Sequence, residues 1–207
     1  MEWNFSLSAL LLIIFILESS VRKYNLLNFL AILLLFVFMS LHAPEHTGYR
    51  SQSPCRITIV ASRYNEVFVT SLIREAQKAI LALAPETILE LLRVPGAFEI
   101  PLAIKLVAEH QKPDAIIALG VILRGETAHA HLIATALSEQ LLALSLEYSL
   151  PVIHEVLLLD SQAQARARCF GSQINRGAEA GQCALSMIEV TRSMIAKGVV
   201  DELGTNH

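Results

Sequence analysis

Cysteine is scarce in this chain of 207 residues, and the three present, Cys55, Cys169 and Cys183, follow no metal-type spacing. An odd, scattered set argues against a disulfide framework or a zinc site and for reduced thiols in a cytoplasmic protein. Charge of one sign is also missing. Sixteen Lys and Arg stand against nineteen Asp and Glu, a formal net charge of −3. The basic residues are scattered, so nothing marks a nucleic-acid surface. Neither a dinucleotide G-x-G-x-x-G nor a P-loop occurs, which sets aside the two commonest nucleotide-binding classes. There are no internal repeats or low-complexity tracts. Apolar runs of spanning length are absent as well: Leu7–Leu17 and Leu26–Met39 each fall short of the roughly 20 residues that cross a bilayer. Met1-Glu2 lacks the positive start of a secretory signal, and no small-residue cleavage site follows.

Hydrophobic residues make up 54% of the chain, and much of the excess lies in the first forty residues. Residues 1–38 are read as an apolar extension that is a membrane hairpin, a poor signal, or upstream sequence translated from a wrongly chosen start. The polar leader opening at Met39 favours the last of these. A membrane partner follows only if residues 7–39 are translated and inserted. The expected organisation is then a leader over 39–55, one domain over 56–198 and a loose tail over 199–207.

Within that domain, short apolar runs alternate with segments of helical period. Strands are expected at Ile57–Ser62, Thr87–Val94, Ala115–Val121 and Val152–Leu158. Helices are expected at Val67–Leu83, Phe98–His110, Thr127–Tyr148, Ser161–Cys169 and Asn175–Lys197. Repeated strand–helix units predict an α/β fold, a three-layer α/β/α sandwich on a four-stranded parallel sheet.

The most informative stretch runs from Asp114 to Ala136. An apolar strand ends in a glycine-bearing turn, and a helix carrying His129 and His131 follows. At the carboxyl end of a strand in an open α/β sheet, ligands bind in the crevice. A helix start there offers free N–H groups to an anion, and His129 can move a proton beside it. The loops after the other strands carry Arg63-Tyr64-Asn65, Pro95-Gly96-Ala97-Phe98-Glu99 and Leu159-Asp160. Together they bring an aromatic ring, a carboxylate, a histidine and helix-start amides to one crevice, which suits a planar polar ligand. His129 and His131 make a poor metal pair, because i and i+2 point to different sides of a helix and no third ligand is evident.

SRYNE (Ser62–Glu66), VPGAFEIPLA (Val94–Ala103), LGVILRGETAH (Leu119–His129) and NRGAEA (Asn175–Ala180) resemble the lumazine synthase family across about residues 56–195. The resemblance implies a flavodoxin-like fold. It also implies condensation of 5-amino-6-(D-ribitylamino)uracil with 3,4-dihydroxy-2-butanone 4-phosphate to 6,7-dimethyl-8-ribityllumazine, with no metal or organic cofactor. By resemblance, His129 transfers protons. Tyr64, Ala97, Phe98, Glu99, Val121, Ile122, Leu123, His154 and Arg176 meet the uracil and its ribityl chain. Gly125, Glu126, Thr127 and Arg168 hold the phosphate, Arg168 reaching in from a neighbouring subunit. The family forms homopentamers, some of them built into icosahedral shells, with active sites at subunit interfaces.

Three positions depart from the family pattern. His154 stands where a phenylalanine is common, Ala130 where an aromatic is common, and Arg176 where lysine is usual. They leave an alternative, a ligand-binding or shell-forming relative without turnover.

Overall fold

A computed structural model describes residues 54–172, 174–196 and 198. The expectations for residues 1–38, for the leader up to residue 53 and for the tail lie outside the described residues. Among the described residues four strands and five helices follow in order: β1 (Arg56–Ser62), α1 (Glu66–Leu83), β2 (Ile88–Val94), α2 (Ile100–His110), β3 (Ala115–Leu123), α3 (His129–Glu147), β4 (Val152–Leu159), α4 (Gln162–Cys169) and α5 (Arg176–Ala196). All strand pairings are parallel and the order is β2-β1-β3-β4. The expected α/β sandwich on a four-stranded parallel sheet is what the chain forms.

Alternation along the central strands divides the core. From β1, Ile57, Ile59 and Ala61 pack toward α1, α4 and α5. Val60 faces the other way, into a cluster with Ile100 and Ile104 of α2 and Leu137 and Leu141 of α3. Both faces of β1 and β3 are covered, so the two strands are apolar on both sides, with the buried Thr58 and Ser62 of β1 the polar exceptions. The chain steps one way from β1 to β2, then reverses to reach β3, and the connecting helix changes face with it. That reversal places a topological switch point between β1 and β3, where crevices form in open α/β sheets.

Element boundaries differ from the sequence expectation by one or two residues, for local reasons. Helix α4 begins at Gln162 because Ser161 is its cap: the Ser161 hydroxyl accepts the Gln164 N–H at 3.2 Å. Strand β3 runs on to Leu123 because it stays in register with β4 as far as Leu159. Helix α3 starts at His129, not Thr127, which leaves Gly125–Thr127 as an open turn ahead of it.

Candidate active site

The loop after β1 turns sharply. Asn65 sits in the left-handed region at φ 56°, a conformation Asn tolerates better than most residues. Its side-chain amide donates to the Val121 carbonyl at 2.8 Å, tying this loop to the end of β3 across the switch point. Arg93, on the neighbouring strand, donates to the Ser62 carbonyl at 3.0 Å, and the Arg63 N–H bonds the Val94 carbonyl at 3.0 Å. The carboxyl ends of β1, β2 and β3 are thereby held in one arrangement.

Above them, on the α2 and α3 side, lies a cavity of about 900 Å³. Its floor and walls include Ser62, Val121, Ile122 and Leu123 from the strand ends and Tyr64 and Asn65 from the first loop. Gly96, Ala97, Phe98 and Glu99 enter from the approach to α2, and His129, Ala130, Leu132, Ile133 and Ala136 from α3. Tyr64 and Glu99 meet over Gly96. A Cβ added there would lie 2.8 Å from Glu99 Oε2 and 3.5 Å from the Tyr64 ring. Tyr64 is 73% exposed and Phe98 65%, so two flat rings stand free at the rim. The His129 N–H points to the Thr127 hydroxyl at 3.4 Å, which leaves Thr127 at the start of α3.

Of the fourteen residues singled out from the sequence, Tyr64, Ala97, Phe98, Glu99, Val121, Ile122, Leu123 and His129 line this one cavity. Gly125, Glu126 and Thr127 form the exposed turn leading to it, and a Cβ on Gly125 would meet nothing within 4 Å. That turn is moored to the next one: Arg124 pairs with Asp160 at 3.1 Å, and its N–H bonds the Leu159 carbonyl at 2.8 Å.

The other three, His154, Arg168 and Arg176, belong neither to the cavity lining nor to that turn. His154 lies on edge strand β4, where its Nε2 meets the Ser138 hydroxyl at 2.8 Å and its Nδ1 accepts the Val156 N–H at 3.2 Å. Ser138 also donates to the Ala134 carbonyl, so the neutral Nε2–H tautomer satisfies every partner. Burial of part of the ring lowers the pKa of His154 below its usual value. Arg168 is carried by α4, on the opposite face of the sheet. Arg176, at the start of α5, pairs with Glu179 at 2.8 Å and Glu155 at 3.9 Å. Burial pushes the Glu155 carboxyl up to about 7, with Arg176 opposing the rise.

The sequence places Asn65 and Gly96 at the crevice only as parts of its loops, and sequence reasoning missed Ser62, Leu132, Ile133 and Ala136 as lining residues. The signal for the three on α3 was present: 129, 132, 133 and 136 follow helical spacing and share one face. Ser62 carried no such signal. Among the described residues no three His, Cys, Asp or Glu side chains are gathered as a metal site would need. No helix among them is long and apolar enough to cross a membrane.

The arrangement can hold a flat polar ligand against exposed rings, with a carboxylate for its hydroxyls and an imidazole for proton transfer. Comparison with known proteins identifies the family. Residues 54–192 match the family model described as 6,7-dimethyl-8-ribityllumazine synthase. A protein of that name from Halorhodospira halophila is 37% identical over 142 residues, 68% of this chain and 91% of its own length. Another from a Polaromonas species is 39% identical over 132 residues, 63% of this chain and 83% of the relative. A de novo designed Rossmann fold protein matches at a TM-score of 0.33 and 18% identity, covering 54% of this chain and 90% of its own, too low a score to carry an argument. The family resemblance read from the sequence motifs is borne out.

Proposed function

The chain belongs to the 6,7-dimethyl-8-ribityllumazine synthase family, and we infer how its cavity performs that reaction. The enzyme condenses 5-amino-6-(D-ribitylamino)uracil with 3,4-dihydroxy-2-butanone 4-phosphate, releasing phosphate and water. The observation that carries the reading is the convergence of Tyr64, Glu99 and His129 on one largely apolar cavity at the switch point.

Condensation of an amine with a ketone, loss of phosphate and ring closure need two reactants in register and a series of proton transfers. Holding the pair together supplies much of the acceleration. In this reading the pyrimidine stacks on Tyr64, Phe98 shelters it, and Glu99 accepts hydrogen bonds from the ribityl hydroxyls. The phosphate rests on the Gly125-Glu126-Thr127 turn, at the positive end of α3. His129, one turn residue away, takes the proton as the imine forms and returns one as phosphate leaves.

Arg168, His154 and Arg176 serve a neighbouring subunit's cavity, since none lines the cavity of its own chain. A homopentamer is the assembly that fits. Exposed apolar side chains, Leu132 of the cavity lining at 66% and Val67 of α1 at 69% among them, are what such an interface would cover. The cytoplasm, suggested by three free thiols, is the compartment that fits the reading.

The test is to mix the purified full chain with both substrates and follow lumazine absorbance and free phosphate together, against a protein-free control. Both products should appear in equal amounts above the control. Protein that binds the pyrimidine yet gives no rate above the control would overturn the catalytic reading.

A further inference from the structure

The cavity floor holds a polar group that the protein itself does not satisfy. Ser62, the last residue of β1, is 1% exposed, and its hydroxyl has no hydrogen-bond partner among the described residues. A buried hydroxyl without a partner is costly, and alanine would fill the same space without that cost. The surroundings on the sheet side are apolar. A Cβ on Gly120 would lie 3.2 Å from the Ser62 oxygen and 2.9 Å from a Val156 methyl, so Gly120 leaves room for the hydroxyl and Val156 walls it in. The residue is also fixed in place, since Arg93 holds its carbonyl at 3.0 Å. Ser62 lines the cavity beside Tyr64, the ring that would lie along a flat ligand.

We propose that Ser62 is a specificity-determining residue, whose hydroxyl hydrogen-bonds the carbonyl and N–H edge of the pyrimidinedione when that ring enters the cavity. The hydroxyl can donate to a ring carbonyl or accept from a ring N–H by rotating about one bond. Its rigid backbone means that little order is lost when the bond forms. A cavity built around such a group rejects a flat ring lacking the complementary edge, because the hydroxyl then stays unpaired. This rests on the lumazine synthase reading above.

The experiment compares the full chain with Ser62→Ala, measuring the Michaelis constant for each substrate, the dissociation constant for the product lumazine, and the melting temperature. A neutral hydrogen bond corresponds to a weakening of about five- to tenfold. The Michaelis constant for the ribitylaminouracil and the lumazine dissociation constant should rise by that factor. The constant for the butanone phosphate should stay put, and the melting temperature should hold or rise. Ser62→Cys, which keeps a weak donor in a slightly larger side chain, should fall between. Unchanged lumazine binding, or a lowered melting temperature with equal changes for both substrates, would overturn the proposal. If the unaltered chain shows no turnover, the catalytic reading fails, yet lumazine binding by parent and variant still decides Ser62. A parent that binds no lumazine overturns both.

Discussion

The two faces of the sheet are covered in different ways. On the α1, α4 and α5 side, helices meet backbone to backbone: a Cβ on Gly177 would collide with the Leu72 carbonyl, and one on Gly181 would lie 2.7 Å from the Ala76 carbonyl. On the α2 and α3 side, Leu137, Leu141 and Leu144 seal only the lower part, and the upper part opens into the cavity. The closed face shelters charge that is internally paired, Glu155 with Arg176 and Arg176 with Glu179. The open face leaves Ser62 unpaired and Tyr64 and Phe98 exposed. Satisfied polar groups hold a fold together, whereas unsatisfied ones beside a cavity mark where something else must bind.

The largest loss is expected on the closed face. Gly177→Ala should destabilise the chain by about 3 kcal/mol or more, because backbone rather than a flexible side chain blocks the added methyl. Denaturant unfolding measures it. A midpoint equal to that of the parent would mean that α1 and α5 separate freely and that the face is not closed by contact.

On the open face the expected loss is in rate and not in stability. His129→Ala should lower kcat by about a hundredfold or less, the lower end of what positioned proton transfer supplies, because holding the reactants together remains. Unfolding and assembly should be unchanged. A full rate in the variant would remove His129 from the chemistry, and a lowered unfolding midpoint would make it a packing residue.

The contrast between faces was only partly legible in the sequence. Continuous apolar runs such as Ile57–Ala61 identify strands buried on both sides, and the four strand–helix units follow from period alone. Tyr64, Glu99 and His129 could be brought together because each follows a strand, and in a parallel sheet all strand ends point the same way. Ser62 could not. A serine closing an apolar strand reads as an end residue until the packing shows that nothing answers its hydroxyl. Glu155 and Arg176 were equally hidden, being 21 positions apart and joined only by β4 packing under α5.

That buried pair gives the next test. The Glu155 carboxyl is raised from an ordinary 4.5 to about 7, chiefly by burial. Between those values the folded chain keeps a proton that the unfolded chain has released. The stabilising contribution is therefore full below pH 4.5 and is lost as pH rises through about 7. Its size is on the order of 2 kcal/mol once water reaching the partly exposed Arg176 is allowed for. Glu155→Gln should flatten the fall in stability between pH 5 and 8. A variant with the parent's pH slope would place the titrating group elsewhere.

The smallest expected effect separates the two kinds of glycine. At Gly177 an added methyl meets backbone; at Gly96 it meets the end of the Glu99 side chain at 2.8 Å and then the Tyr64 ring. A carboxylate can swing aside, so Gly96→Ala should change the unfolding midpoint hardly at all. Swinging aside takes Glu99 from where it would meet the ribityl hydroxyls. The Michaelis constant for the pyrimidine should therefore rise about threefold, less than 1 kcal/mol, with the butanone phosphate constant unaffected. Equal weakening for both substrates would mean that the loop had moved as a body. A destabilisation matching that of Gly177→Ala would show the rim of the cavity to be packed as tightly as the closed face, and the distinction between the faces would fail there.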